Sequence, residues 1–169
     1  MRTSCIMRTL TVGGAFTLLI GGVATPASAQ SQNANLSVAA SVSKNCTITA
    51  TAISFTAYDP VVANDTAALD GEGGLTVACT KGVNPALTLG AGNSPNAGQR
   101  RLAFGSEYLT YDLFSDSTRA TTWTTSTSVL MGVAPSKAAR SVSVYGRIAG
   151  GQDVPAGSYQ DTIQATVNF

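Results

Sequence analysis

Period-two alternation of apolar and polar residues runs through most of the chain. Leu36, Val38, Ala40 and Val42 occupy every second position, with Ser37, Ala39, Ser41 and Ser43 between them. Leu75, Val77 and Cys79 alternate with Thr76 and Ala78. Leu87 and Leu89 follow, then Leu109, Tyr111 and Leu113, then Val142, Val144 and Ile148. The last run carries Tyr159, Ile163, Ala165, Val167 and Phe169 on one parity and Gln160, Thr162, Gln164, Thr166 and Asn168 on the other. Successive side chains of a strand point to opposite faces, so this patterning predicts strands with one buried face and two packed antiparallel sheets. Turn-forming pairs separate the runs at Asp59-Pro60, Asp70-Gly71, Gly73-Gly74, Asn84-Pro85, Ser94-Pro95 and Gly150-Gly151, and at Pro155-Ala156-Gly157. Seven or more short strands at such spacing predict an all-β, immunoglobulin-like sandwich or a related fold. The weakly patterned stretches 57–72 and 90–100 read as long surface connections.

Both ends of the pattern are unusual. The first strand is plain, aliphatic and small, and stands almost directly behind a leader-like segment. The last strand stays apolar up to Phe169, which leaves its outer neighbour unaccounted for. The leader itself consists of Arg2 and Arg8, an apolar run from Leu10 to Val23, then Pro26 and the small triplet Ala27-Ser28-Ala29. That order is what a signal peptidase requires, so residues 1–29 are expected to be cleaved and Gln30 to begin the mature protein. A membrane anchor would need roughly 20 apolar residues, more than this run supplies.

Cleavage changes the charge and the cysteine count. The whole chain has ten basic and nine acidic residues. Without Arg2 and Arg8 eight basic residues face nine acidic ones, a net charge near −1. Such a balance offers no electrostatic reason for nucleic acid as a partner. The adjacent pair Arg100-Arg101 reads as a solvated loop. Cys5 leaves with the leader, so Cys46 and Cys79 remain, and in an exported protein two cysteines most simply form one disulfide. The bond would close a loop of about 33 residues, for which the chain-entropy model gives roughly 3.7 kcal/mol.

Chemistry is sparse. The chain contains no histidine, which removes the commonest general base and every Ser-His or Cys-His arrangement. Two cysteines without histidine make no metal site. Asp59, Asp65, Asp70 and Glu72, and the pair Asp112 and Asp116, read as turn-forming residues. Asp161 shares the apolar parity of the last run and is expected to cap a backbone group or a hydroxyl. Neither enzyme activity nor a cofactor is expected. Trp123 and the five tyrosines leave a carbohydrate-binding β-sandwich open as a further reading.

Three segments carry a family resemblance. The first is Val144-Tyr145-Gly146-Arg147-Ile148, then Pro155-Ala156-Gly157-Ser158-Tyr159-Gln160-Asp161-Thr162-Ile163 and Ala165-Thr166-Val167-Asn168-Phe169. The second is Tyr111-Asp112-Leu113-Phe114-Ser115-Asp116 with Arg119 and Trp123, and the third is Asn45-Cys46-Thr47-Ile48. Together they resemble the spore coat U domain family, which includes subunits of archaic chaperone–usher pili. Thr124 and Thr125 stand where family members often have a glycine-containing turn.

The resemblance implies an incomplete immunoglobulin-like β-sandwich completed by a donor strand from a neighbouring subunit. Residues 30–45 would be the N-terminal donor strand and 46–169 the sandwich. Leu36, Val38, Ala40 and Val42 would be the donor side chains, and Tyr159, Ile163, Ala165, Val167 and Phe169 would line the groove that accepts a strand. That groove would serve a periplasmic chaperone first and another subunit afterwards. The implied partners are identical or homologous pilus subunits, the chaperone and an outer-membrane usher. The implied function is that of a structural subunit of a secreted cell-surface pilus, supporting adhesion or biofilm formation. A non-pilus secreted spore or cell-surface coat protein is the alternative within the family.

Overall fold

A computed structural model describes residues 28–169, so the expected leader falls outside the described residues apart from its last two positions. The chain divides into two units, Met1–Ala39 and Ala40–Phe169. In the first, residues 28–39 form no strand and are exposed. The second contains eight strands and no helix: β1 (Cys46–Ser54), β2 (Leu69–Cys79), β3 (Ala86–Leu89), β4 (Arg100–Phe104), β5 (Glu107–Phe114), β6 (Val129–Leu130), β7 (Arg140–Ile148) and β8 (Ala165–Asn168).

The strands form two sheets, one with the order β1-β2-β7-β5-β4 and the other β6-β3-β8. Every pairing is antiparallel. The alternation read from the sequence is what places the core between them. Leu75 and Val77 of β2, Leu109 and Leu113 of β5, and Val144 and Ile148 of β7 face inward from the large sheet. Leu87 and Leu89 of β3 meet them from the small one, and Trp123 is fully buried among them. Burial of aliphatic side chains of this kind contributes about 1.5–3 kcal/mol each. Cys46 and Cys79 lie opposite each other at the β1–β2 end and are joined by the expected disulfide.

The structure departs from the sequence reading at four places. Residues 36–42 alternate like a strand but pair with nothing among the described residues, and a strand without a ladder partner has no hydrogen-bonded structure of its own. Asp70-Gly71 and Gly73-Gly74 are not turns, because β2 runs through both. The glycines admit close approach instead: a Cβ at Gly71 would sit 2.8 Å from the Phe55 ring, and one at Gly73 would sit 2.7 Å from the Thr51 carbonyl oxygen. The β1 register shifts between Thr51 and Ser54, and this bulge is what folds Ile53 and Phe55 over those glycines.

The final run is also shorter as a strand than its alternation suggests. Only Ala165–Asn168 pairs with β3, whereas Gln160 exchanges backbone bonds with Ala103 of β4 at 2.8 and 3.1 Å. This segment therefore passes from the edge of one sheet to the edge of the other. Fourthly, Arg100 is not in a solvated loop; it opens β4 and is 4% exposed. Its guanidinium donates to the carbonyls of Trp123 (2.7 Å), Gly90 (2.9 Å) and Leu89 (3.4 Å). A guanidinium is all donor, so backbone carbonyls can satisfy it without a carboxylate. Arg100→Met keeps the stem but strips donors from those buried carbonyls. It should lower the unfolding free energy by about 3 kcal/mol, read as a lower urea midpoint with an unchanged slope. A cost below about 1 kcal/mol would show that those carbonyls find other donors.

Candidate strand-accepting groove

A cleft of about 810 Å³ opens between β1 and the segment leading into β8. The buried residues Leu75, Leu109, Tyr111, Leu113, Val144 and Ile148 line its floor, so it reaches the hydrophobic core. Protein interiors are close-packed, with few voids larger than a water molecule. An apolar cleft of this size is room that no described side chain fills.

β1 and β8 are edge strands of their sheets, and the hydrogen-bond parity shows what they present. Gly90 N–H donates to the Gln164 carbonyl at 2.8 Å. By the alternation of an antiparallel ladder, residues 164, 166 and 168 then turn their backbone groups towards β3. Ile163, Ala165 and Val167 turn theirs away, to the open side. On the other wall Thr80 N–H donates to the Asn45 carbonyl at 2.9 Å, so Thr47, Thr49 and Thr51 bond to β2. Cys46, Ile48 and Ala50 point theirs outward. The cleft reaches Ala50 of β1 on one side and Ala165 of β8 on the other.

Of the five groove residues expected from the sequence, Tyr159, Ile163 and Ala165 line the cleft. Val167 and Phe169 do not. Val167 is half-buried against the core at the end of β8, and Phe169 is 55% exposed. The cleft lies further back along the chain, where the segment leaves β4 for β3. The sequence reading missed the opposite wall, where Ala50, Ile53 and Phe55 stand. A signal was present in Thr47, Thr49 and Thr51, which occupy the polar parity of β1, but its inner positions include small alanines. The expected donor side chains are all exposed: Leu36 by 88%, Val38 by 87% and Val42 by 86%, with Ala40 likewise.

One polar group stands in this apolar wall. Asp161 Oδ2 accepts the Tyr111 hydroxyl at 2.6 Å, and Oδ1 accepts Asn93 N–H at 2.7 Å and Thr162 N–H at 2.8 Å. It caps a hydroxyl and backbone groups, as its parity suggested, and it ties the wall to β5 and to the loop after β3. Burial first, and then the bond to Asp161, push the Tyr111 phenol well above its ordinary range, so it remains a donor. Gly92 has φ +85°, and a Cβ there would collide with the Asp161 carboxylate. The residues contain no cluster of three or more metal-ligating side chains among those described. No helix of the described residues is long and apolar enough to cross a membrane.

Comparison with known proteins agrees with this architecture. The model of the Spore Coat Protein U domain matches residues 32–166. "Protein U" of Myxococcus xanthus is 36% identical over 158 residues, which covers 85% of this chain and 88% of that protein. Among solved structures, the chain is similar to one from the CsuC–CsuE chaperone–tip adhesion subunit pre-assembly complex of the archaic chaperone-usher Csu pili of Acinetobacter baumannii. The TM-score is 0.56 and the identity 25%, with 76% of this chain matched to 40% of that one. This chain therefore spans well under half of that structural relative, but nearly all of Protein U. With the family model matched over most of its length, the chain belongs to the Spore Coat Protein U domain family.

Proposed function

We propose that this protein is a structural subunit of a surface pilus and that its cleft receives the N-terminal strand of another copy. The observation that carries the reading is the cleft itself: two unpaired sheet edges flank an opening whose floor is the hydrophobic core. An added strand gains backbone hydrogen bonds from the edges and buries alternate side chains in the cleft. The general mode is β-strand addition, as in chaperone–pilin complementation. Leu36, Val38, Ala40 and Val42 supply alternate aliphatic side chains, and all four are exposed. A contact between the front of one copy and the groove of another is head-to-tail and does not close, so it generates a filament.

Before assembly the same groove is an aggregation hazard. A periplasmic chaperone that lends a strand, and an outer-membrane usher where a subunit replaces it, complete the reading; adhesion or biofilm formation is the role of the filament. The structural relative comes from a chaperone–subunit pre-assembly complex, which supports a chaperone as partner. A second reading, a coat protein that forms no pilus, is favoured by the similarity to Protein U over 88% of that protein.

Expression with and without its periplasmic chaperone tests the proposal. With the chaperone the subunit should be recovered as a soluble complex, and released subunits should give ladders on unboiled gels that collapse on boiling. A chaperone-independent monomer that never forms a ladder overturns the pilus reading and leaves the coat protein.

A further inference from the structure

Apolar alternation alone does not fix how far a strand slides into the groove. A slip of one residue turns every side chain to the wrong face, but a slip of two keeps the pattern. Something outside the aliphatic series has to choose among the even slips. The inward parity of the donor segment continues beyond Val42 to Lys44, and the inward parity of the acceptor wall continues before Ile163 to Asp161. We propose that Lys44 of one copy pairs with Asp161 of the next and sets the register of the inserted strand. This inference rests on the strand-exchange reading above.

In an antiparallel alignment, the arrangement of every strand pair in this fold, placing Lys44 opposite Asp161 fixes all the other pairs. Val42 then faces Ile163, Ala40 faces Ala165, Val38 faces Val167 and Leu36 faces Phe169. Ile163 and Ala165 at the cleft, and Val167 beyond it on the edge strand β8, turn their backbone groups away from β3, so the same alignment forms the ladder. Sliding the strand one way puts the Lys44 ammonium against Ile163, where it has no partner. Sliding it the other way puts Val42 against the Asp161 carboxylate. Both strand a charge beside apolar surface, which is costly.

The structure gives both charges the right setting. Asp161 is partly buried at the cleft and has no cation within ion-pair distance among the described residues. The nearby Arg100 guanidinium is directed to backbone carbonyls. Lys44 is exposed and also has no ion pair among the described residues. It stands where the strand leaves its own sandwich, because Thr80 Oγ1 donates to the Ser43 carbonyl and accepts from Asn45 N–H at 3.3 and 3.1 Å. A register that brings Lys44 to Asp161 is therefore one in which the strand is inserted up to its own domain, and the ion pair marks full insertion.

Disulfide trapping between co-expressed full-length chains reads the register directly. A Leu36→Cys chain with a Phe169→Cys chain should give a covalent dimer on boiled, non-reducing gels. Both positions are exposed, so neither substitution threatens the fold. Stronger trapping of Leu36→Cys with Val167→Cys, or of Val38→Cys with Phe169→Cys, means a two-residue slip and overturns the inference. Stronger trapping of Leu36→Cys with Ile163→Cys means a parallel strand and overturns it too. In each of those cases the unboiled ladder survives, so strand exchange stands. Loss of the ladder in every combination, the parent included, removes strand exchange itself. Lys44→Glu should reduce the Leu36–Phe169 dimer several-fold and raise the slipped products, with Lys44→Met intermediate. Unchanged trapping in Lys44→Glu overturns the role of the pair.

Discussion

Moving residues 33–44 from the front of the domain to a position after Phe169, through a short turn-forming linker, is expected to yield a monomer that needs no chaperone. The geometry sets the expectation. β8 ends on the open side of the small sheet, and a tight hairpin after Phe169 would lay the moved strand antiparallel beside it. Leu36 would then come back opposite Phe169, in the register argued above. Donor and acceptor would meet at high effective concentration, within one chain. Val42, the large donor side chain that falls at the cleft beside Ile163, contributes about 1.5–3 kcal/mol on burial, and each kcal/mol moves the melting midpoint of a domain this size by about 2–4 °C. The rearranged chain should therefore melt at least several degrees above the parent and elute as a monomer in size-exclusion chromatography. A rearranged chain that still polymerises, or a parent that is already a stable monomer, would remove the strand-exchange reading.

The second large effect separates assembly from folding. Val42→Asp should abolish ladders while the subunit is still recovered with its chaperone. Val42 is 86% exposed in the single chain, so the substitution costs the isolated domain little, but insertion would bury a carboxylate against Ile163. Val167→Asp should act earlier. Val167 is half-buried against the core beside β3, and a charge there opposes β8 itself, so little soluble subunit should be recovered. If Val42→Asp assembles like the parent, residue 42 is not a donor residue. If Val167→Asp is recovered at parental yield, the β8 wall tolerates a charge that its packing argues against.

Much of the fold was legible because strand burial has period two and is written locally. Leu75 and Val77, Leu109 and Leu113, and Val144 and Ile148 each declared an inward face, and each is in the core. Cys46 and Cys79 were the two cysteines outside the expected leader, and the disulfide joins them. What stayed hidden depended on contacts between distant segments. The glycines of β2 look like turn residues until the β1 bulge brings Phe55 and Ile53 against them. Arg100 looks solvated until the carbonyls of Leu89, Gly90 and Trp123 converge on it.

The sequence by itself determined the strands, their inward faces and the presence of a spare alternating segment at the front of the chain. These follow from side-chain alternation, which any single strand displays. Only the tertiary structure decided where the opening lies. The segment carrying Tyr159 and Ile163 crosses from β4 to β3, and β1 remains on the far side, so the cleft falls between Ala50 and Ile163 and not alongside Val167 and Phe169. An edge is a property of what fails to pair, and pairing is fixed by packing across the whole domain.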